Sequence, residues 1–583
     1  MSNDNDFEND NKLVKQYITH ITDSDSLSFL FNKLFLDYFK QNKSISLYFI
    51  IFAITLWAVK IFLFDTLISE LTMNITKKNS ISIIAKLIAI LISIKYFIEF
   101  LAYSVNNLVS EILPDYNTYI RNITIHQLYY KFYDNLNITI SYTTFLQILF
   151  DLCYYLRHIM LYFLSDFIII IIALIIKLIF MYSLHKTLFY ITLVGIIFCS
   201  FIVYYYSKNI IINSSNRSNA INKINKKIHN NFENLINIYV NNKTQDEVKK
   251  TQDLEKNFHN KFKCQLKSVN IFSANINMYF TILFTIIVIS ALYLYKIKEL
   301  SSKQFITLLI ISNTYIEFLS STVNSIPSTF LVPFGTLNNF YNILVFLFSN
   351  DIIKANPDKY NYKNKRTVNK IKHWNVAIDN LSFRYNPNSK YIFKNFNYNI
   401  DFTDFILIKG KSGVGKSTLA KILLGLFNNY EGKIYIGDID IQTINLHYLR
   451  NNITYVTQNN SLYNISILEN MKYGNNVSDE KVISLLKKYG FYNLYNKLDN
   501  GLNTLYNNGN NQLSYGMTKI ILLIRGILRD SNILIFDEPT NGLDPNTKNN
   551  FIKLLKSIIN TKTVMIITHT EDFKELNYKE IKL

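Results

Sequence analysis

Residues 405–425, FILIKGKSGVGKSTLAKILLG, read as a strand, a glycine loop and a helix. The loop carries G-x-x-x-x-G-K-S from Gly410 to Ser417. Gly410, Gly413 and Gly415 let the backbone curl so that its N–H groups face a phosphate. The helix that follows starts with its positive dipole end aimed at the same oxygens. Lys416 is placed to neutralise β- and γ-phosphates, and Ser417 to ligate Mg2+.

A second apolar run, SNILIFDEPTNGLD over 531–544, ends a strand in Asp537-Glu538. Carboxylates at the C-terminal edge of such a strand stand where open α/β sheets bind ligands. Asp537 suits Mg2+, directly or through water, and Glu538 suits a general base that polarises an attacking water. An acidic pair after a strand is often only a solvated turn, but its place behind the glycine loop argues for the site. VMIITH (564–569) ends in His569, an imidazole able to hydrogen-bond a γ-phosphate or the water. NITYVTQ (452–458) ends in Gln458, able to touch Mg2+ or water, and Tyr385 in LSFRYNP offers a face for adenine.

This ordered set resembles the nucleotide-binding domain of ABC transporters. The match runs from Tyr385 (A-loop) through 410–417 (Walker A) and Gln458 (Q-loop) to LSYGM at 513–517 (signature), then 533–538 (Walker B), Asp544 (D-loop) and His569 (switch histidine). The resemblance covers 374–583 and implies ATP and Mg2+ as cofactors. It implies catalytic roles for Glu538, His569 and Gln458, with Mg2+ at Ser417, Gln458 and Asp537. Tyr385, the loop glycines, Lys416, Ser417, Thr418, Ser514, Gly516 and Asp544 would hold nucleotide. The family signature LSGGQ is LSYGM here, with Tyr515 in place of a glycine and Met517 in place of a polar residue. Slower ATPase or an asymmetric heterodimer would follow.

These residues must be positioned by an α/β domain at 373–583, and the rest of the chain has a different character. Of 583 residues, 49% are hydrophobic and only 18% charged, below the roughly 25% usual for soluble domains. All 15 glycines except Gly195 and Gly335 lie at or after Gly410, so long helices should fill the first two thirds. Cys153, Cys199 and Cys264 share no metal-ligand spacing. The net charge of +19 could suggest nucleic acid, but it sits in an Asn-, Lys- and Tyr-rich chain and carries little weight. No nucleic-acid role is expected.

Residues 1–25 read as a polar tail without a secretory signal pattern, and 26–43 as an amphipathic helix at the membrane surface. Six apolar stretches follow within a transmembrane domain at 26–350, at about 45–67, 81–105, 160–182, 187–206, 270–295 and 304–326. Each is long enough to cross a hydrocarbon layer of roughly 30 Å. Two connections exceed 50 residues and read as helical, and 208–268 holds twelve Lys or Arg. That bias puts the long loops and both termini in the cytoplasm, or on the matrix-like side of an organelle. A polar linker spans 351–372. The expected fold is therefore multi-domain: an all-α six-span transmembrane bundle followed by an α/β P-loop NTPase domain.

This front part resembles the six-helix domain of ABC exporters, with coupling helices expected near 131–138 and 228–238. One membrane half with one ATPase half makes a half-transporter, which implies a homodimer or a heterodimer with another half-transporter. The expected function is ATP-driven export by alternating access of a small molecule, peptide or lipid. The alternative is an ATP-binding gate or regulatory membrane protein that hydrolyses little. Lys60, Lys95, Glu99, Asp166, Lys177 and Glu317 are charges inside apolar stretches, either paired structurally or facing a cavity. Lys177, Asn275, Asn277, Asn313 and Glu317 are candidates to line a polar path.

Overall fold

A computed structural model of the chain describes residues 32–76, 80–131, 142–340, 368, 370–385, 389–458, 461–507 and 513–583. They form two compact units, a helical one drawn mainly from residues before 352 and an α/β one beyond, and each is taken by itself.

The helical unit contains α1 (Lys43–Ala58), α2 (Asp65–Thr76), α3 (Ile81–Lys131), α4 (Tyr142–Tyr162), α5 (Ile168–Leu184), α6 (Lys186–Glu233), α7 (Thr244–Lys296) and α8 (Ser302–Ile326). Among the described residues five helical stretches are long and apolar enough to cross a membrane: Ile81–Gln127, Phe150–Leu184, Lys186–Glu233, Thr244–Lys296 and Ser302–Leu337. The stretch expected at 45–67 differs. Its regular part, α1, has 16 residues, about 24 Å of rise and short of the hydrocarbon thickness. A widened turn over Val59–Phe64 then carries the chain into α2.

With 51, 48 and 53 residues, α3, α6 and α7 are each about 70–80 Å long, more than twice that thickness. The long connection between the fourth and fifth apolar stretches is thus a helical continuation of both. A short helix, Leu235–Val240, joins α6 to α7 where a coupling helix was expected. The expected coupling helix near 131–138 and most of the linker at 351–372 lie outside the described residues. Of the expected surface helix at 26–43, the described part packs inward: Leu34, Phe35 and Tyr38 are buried, and the Tyr38 hydroxyl donates to Ile112 O at 3.1 Å.

Close approach holds the bundle together. Tyr279 donates its hydroxyl to Gly195 O, and a Cβ at Gly195 would stand 2.7 Å from Leu283. Thr307 donates to Ser69 at 2.6 Å, fastening α8 to α2. Large apolar side chains on α3 (Ile81, Tyr96, Phe100, Tyr103) stay exposed, as lipid-facing surfaces do. The chain is an integral membrane protein.

The α/β unit has two sheets. Strands β1 (Val376–Phe383), β2 (Phe393–Ile400), β4 (Glu431–Ile436) and β5 (Ile439–Asp440) form an antiparallel sheet in the order β2-β1-β4-β5. Strands β3 (Phe405–Lys409), β6 (Ile453–Val456), β7 (Ile533–Asp537), β8 (Thr563–Ile567) and β9 (Lys579–Lys582) form a parallel sheet, β6-β7-β8-β3-β9. Every residue of β7 and β8 is buried, which is why both read as unbroken apolar runs rather than alternating ones. Pairing of Phe536 with Ile566, of Asp537 with Ile567, and of Ile408 with Ile567 brings the C-terminal ends of β7, β8 and β3 side by side.

Candidate functional site

Three strand ends converge on one cluster. After β3 the glycine loop turns into α9 (Lys416–Leu423). Gly415 has φ +106°, and a Cβ there would strike Ile392 and stand 3.0 Å from the Phe393 ring, so no other residue fits without displacement. Lys416 is only 7% exposed, and its ammonium donates to Gly410 O at 2.7 Å and Lys411 O at 3.0 Å. It thus sits across its own loop, 3.3 Å from His569 Nε2.

Ser417 Oγ donates to Asp537 Oδ2 at 2.6 Å, and Tyr455 OH donates to the same oxygen at 2.8 Å. Burial and the adjacent Asp537 push the Tyr455 phenol well above its ordinary pKa, so it stays protonated and a donor. Ser417 and Asp537 supply hard oxygens side by side, a fit for Mg2+, which favours few protein oxygens plus phosphate. Among the described residues there is no group of three His, Cys, Asp or Glu that could hold a metal. The ion's remaining positions would therefore fall to phosphate and water.

Glu538, the next residue, takes φ +49°, a left-handed conformation uncommon for a non-glycine residue and costing of order 1–3 kcal/mol. Its N–H donates to Ile567 O at 2.8 Å, which holds the turn. Its carboxylate receives Gln458 Nε2 at 2.9 Å and Asn541 Nδ2 at 3.1 Å, and lies 3.4 Å from His569 Nε2. Gln458 therefore faces the expected base and makes no hydrogen bond to the Ser417–Asp537 oxygens.

Lys519 was not singled out from the sequence. It is 2% exposed on α10 (Tyr515–Leu528) and reaches Asp537 O at 3.4 Å. Burial lowers its pKa, while Asp537 and Glu538 raise it. Tyr455 and Asn541 were missed as well. Tyr385 is 42% exposed, its ring edge-on to Phe383 and Phe427 and its hydroxyl 2.8 Å from Thr418 Oγ1.

The structure does not bring Ser514, Gly516 and Asp544 into this hydrogen-bonded cluster. Ser514 caps α10, accepting from Met517 N at 3.2 Å. Asp544 caps α11 (Pro545–Lys556), accepting from Asn546 N and Thr547 N at 3.1 Å each. The bond to Thr547 leads in holding its carboxyl below the usual range. Tyr515 covers Gly542, where a Cβ would meet its ring at 2.5 Å.

In the helical unit, Asn277 Oδ1 accepts from Ser320 at 2.8 Å and Asn324 at 2.7 Å, and Asn313 donates to Glu317 at 3.0 Å. Asn275 instead bonds its own helix at Ile271 O, and Lys177 is 1% exposed, so neither belongs to this polar seam.

Residues 393–541 match the family model of the ABC transporter domain. The chain is 37% identical over 205 residues to the ABC transporter ATM1 of Plasmodium falciparum, covering 35% of this chain and 19% of that one. It is 33% identical over 199 residues to the multidrug resistance-like ATP-binding protein MdlB of Buchnera aphidicola, covering 34% of each. With the ATP-dependent lipid A-core flippase of Francisella tularensis it shares 31% over 197 residues, 33% of this chain and 32% of that one. The matched stretch thus spans about a third of these relatives' lengths or less. In fold, the chain is similar to a bacterial Atm1-family ABC exporter with ATP bound, at TM-score 0.80, 15% identity and 93% coverage of each chain.

Proposed function

We propose that this chain is an exporter-type half-transporter of the ABC transporter superfamily and hydrolyses ATP to drive export across its membrane. The observation that carries this reading is the set of contacts around Asp537 and Glu538. A Mg2+ carrier pair, a phosphate-reaching lysine and a carboxylate flanked by Gln458 and His569 meet at three adjoining strand ends. The carboxylate of Glu538 accepts a proton from a water aimed at the γ-phosphate. Lys416 releases its loop carbonyls to neutralise the charge that develops, and His569 holds the γ-phosphate. Ser417 and Asp537 would hold Mg2+, which would supply charge stabilisation to the phosphates.

Ser514 and Gly516 stand outside the hydrogen-bonded cluster of their own unit, which supports a dimer in which each ATP is closed by the other chain's LSYGM segment. ATP-dependent closure switches the spans between inward- and outward-facing states. On this reading both termini lie on the cytoplasmic side, or on the matrix-like side of an organelle. The seam of Asn277, Asn313 and Glu317 lines the path taken by a small-molecule, peptide or lipid substrate. ATP turnover by the purified full chain, beside Glu538→Gln, tests the reading. A native rate at least about 100-fold above the variant is expected. Equal low rates would instead favour a gate that binds ATP and hydrolyses little, the reading that Tyr515 and Met517 suggest.

A further inference from the structure

Lys177, on α5, is the most deeply buried ammonium among the described residues of the helical unit, at 1% exposure. Its Nζ has no hydrogen-bond partner, and the same holds for Ser312 Oγ and Tyr315 OH on α8. All three residues line one small void of about 20 Å3, closed by Thr192 of α6 and otherwise by Leu and Ile side chains. Lys177 Nζ also lies 4.8 Å from the centre of the Tyr315 ring. Thr192 turns its hydroxyl proton to its own helix, at Leu188 O and Phe189 O.

Charge does not balance around this void. Among the described residues no carboxylate comes within ion-pair distance of Lys177. Buried Asp65 acts on Lys177 from further off and acts on Lys60 as well, so two ammoniums share one carboxylate. The neighbouring Lys95 and Glu99 pair with each other at 2.8 Å and leave the excess unchanged. An unpaired ammonium in a membrane-spanning helix is expensive, as is each buried donor without an acceptor. A water of this size would accept from the donors but would leave the positive charge uncompensated.

We propose that the void between α5, α6, α7 and α8 is a binding site for a monoatomic anion, chloride in the cell. Lys177 supplies the charge, and the Ser312 and Tyr315 hydroxyls donate to it. The volume admits one particle near the size of a water and excludes phosphate, carboxylate and nucleotide. A bound chloride ties α5 to α8 at one point and cancels the local excess charge. The site owes nothing to ATP chemistry and stands or falls separately from export.

The test is thermal unfolding of the detergent-purified full chain, with chloride replacing gluconate at constant ionic strength. A saturable rise in Tm of about 2 °C or more is expected in chloride and in bromide. Lys177→Met should lose that rise, and Ser312→Ala should shift its midpoint to higher chloride. Crystals grown in bromide should show an anomalous peak beside Lys177 Nζ. Equal Tm in chloride and gluconate, a rise retained in full by Lys177→Met, or density for a water alone would each overturn the proposal. Should Lys177→Met not fold, the Ser312→Ala midpoint and the bromide crystal decide.

Discussion

Replacing Tyr455 by Phe isolates one hydrogen bond at the site. The ring packs against the core between the two sheets and would remain, while the hydroxyl that donates 2.8 Å to Asp537 Oδ2 is deleted. That oxygen keeps Ser417 as its other donor, at 2.6 Å. Hydrogen bonds to charged acceptors contribute about 1.5–3 kcal/mol. At about 1.4 kcal/mol per factor of ten, loss of Asp537's orientation should lower kcat/KM for MgATP by about 10- to 150-fold. Because the hydroxyl reaches Asp537 and Ser417, the pair proposed to carry Mg2+, metal-free nucleotide affinity should barely change, whereas the Mg2+ midpoint for turnover should rise. Steady-state ATPase across a Mg2+ titration, with fluorescent nucleotide binding in chelator, reads both. Turnover within about twofold of native with an unmoved Mg2+ midpoint would show that Tyr455 does not position Asp537.

Further predictions concern backbone and caps. Gly415→Ala adds a Cβ against Ile392 and Phe393 at φ +106°, so nucleotide affinity should fall by at least about tenfold in a binding titration. Gly542→Ala puts a methyl 2.5 Å from the Tyr515 ring and should cost about 1–3 kcal/mol in denaturation, with a coupling of at least about 0.5 kcal/mol recovered in the Tyr515→Gly double variant. Asp544 has a depressed pKa in the folded chain, with its bond to Thr547 the leading cause. Its capping contribution is therefore complete above the unfolded carboxyl value and disappears as pH falls through the folded one. Asp544→Ala should cost about 0.5–2 kcal/mol at neutral pH, and Asp544→Asn much less, with the gap between native and Ala narrowing in acid. Urea denaturation at several pH values checks this.

What could be read from the residues was what sits close together along the chain. Gly410 to Ser417 declare themselves because the turn, the lysine and the helix start are contiguous, and Asp537-Glu538 because the strand before them is buried on both faces. Tyr455, Lys519 and Asn541 could not be found this way. Tyr455 reaches Asp537 only because β6 pairs with β7, and that register is a property of the sheet. Nor does anything local announce the left-handed turn at Glu538, which depends on its bond to Ile567 of the neighbouring strand. In the helical unit hydropathy pointed to five helical stretches long and apolar enough to cross a membrane, but not to their faces. Asn275 and Asn277 are two residues apart and look equivalent. Helix geometry sends one to its own backbone and the other to Ser320 and Asn324 of α8. The widened turn at Val59–Phe64 was hidden because the apolar composition runs straight through it.

Coupling between the nucleotide site and the spans can be read from a tryptophan already in the chain. There are two tryptophans, and Trp374→Phe leaves Trp57 of α1, buried at 5% exposure, 4.2 Å from the Phe318 ring and 4.7 Å from Lys60 Nζ. In a Trp374→Phe, Glu538→Gln chain, saturating MgATP should shift Trp57 emission to a stable new value, reversed when nucleotide is removed. Emission that stays constant while nucleotide binding is confirmed independently would mean that ATP is bound without moving the membrane helices, and export driven by this site would be contradicted.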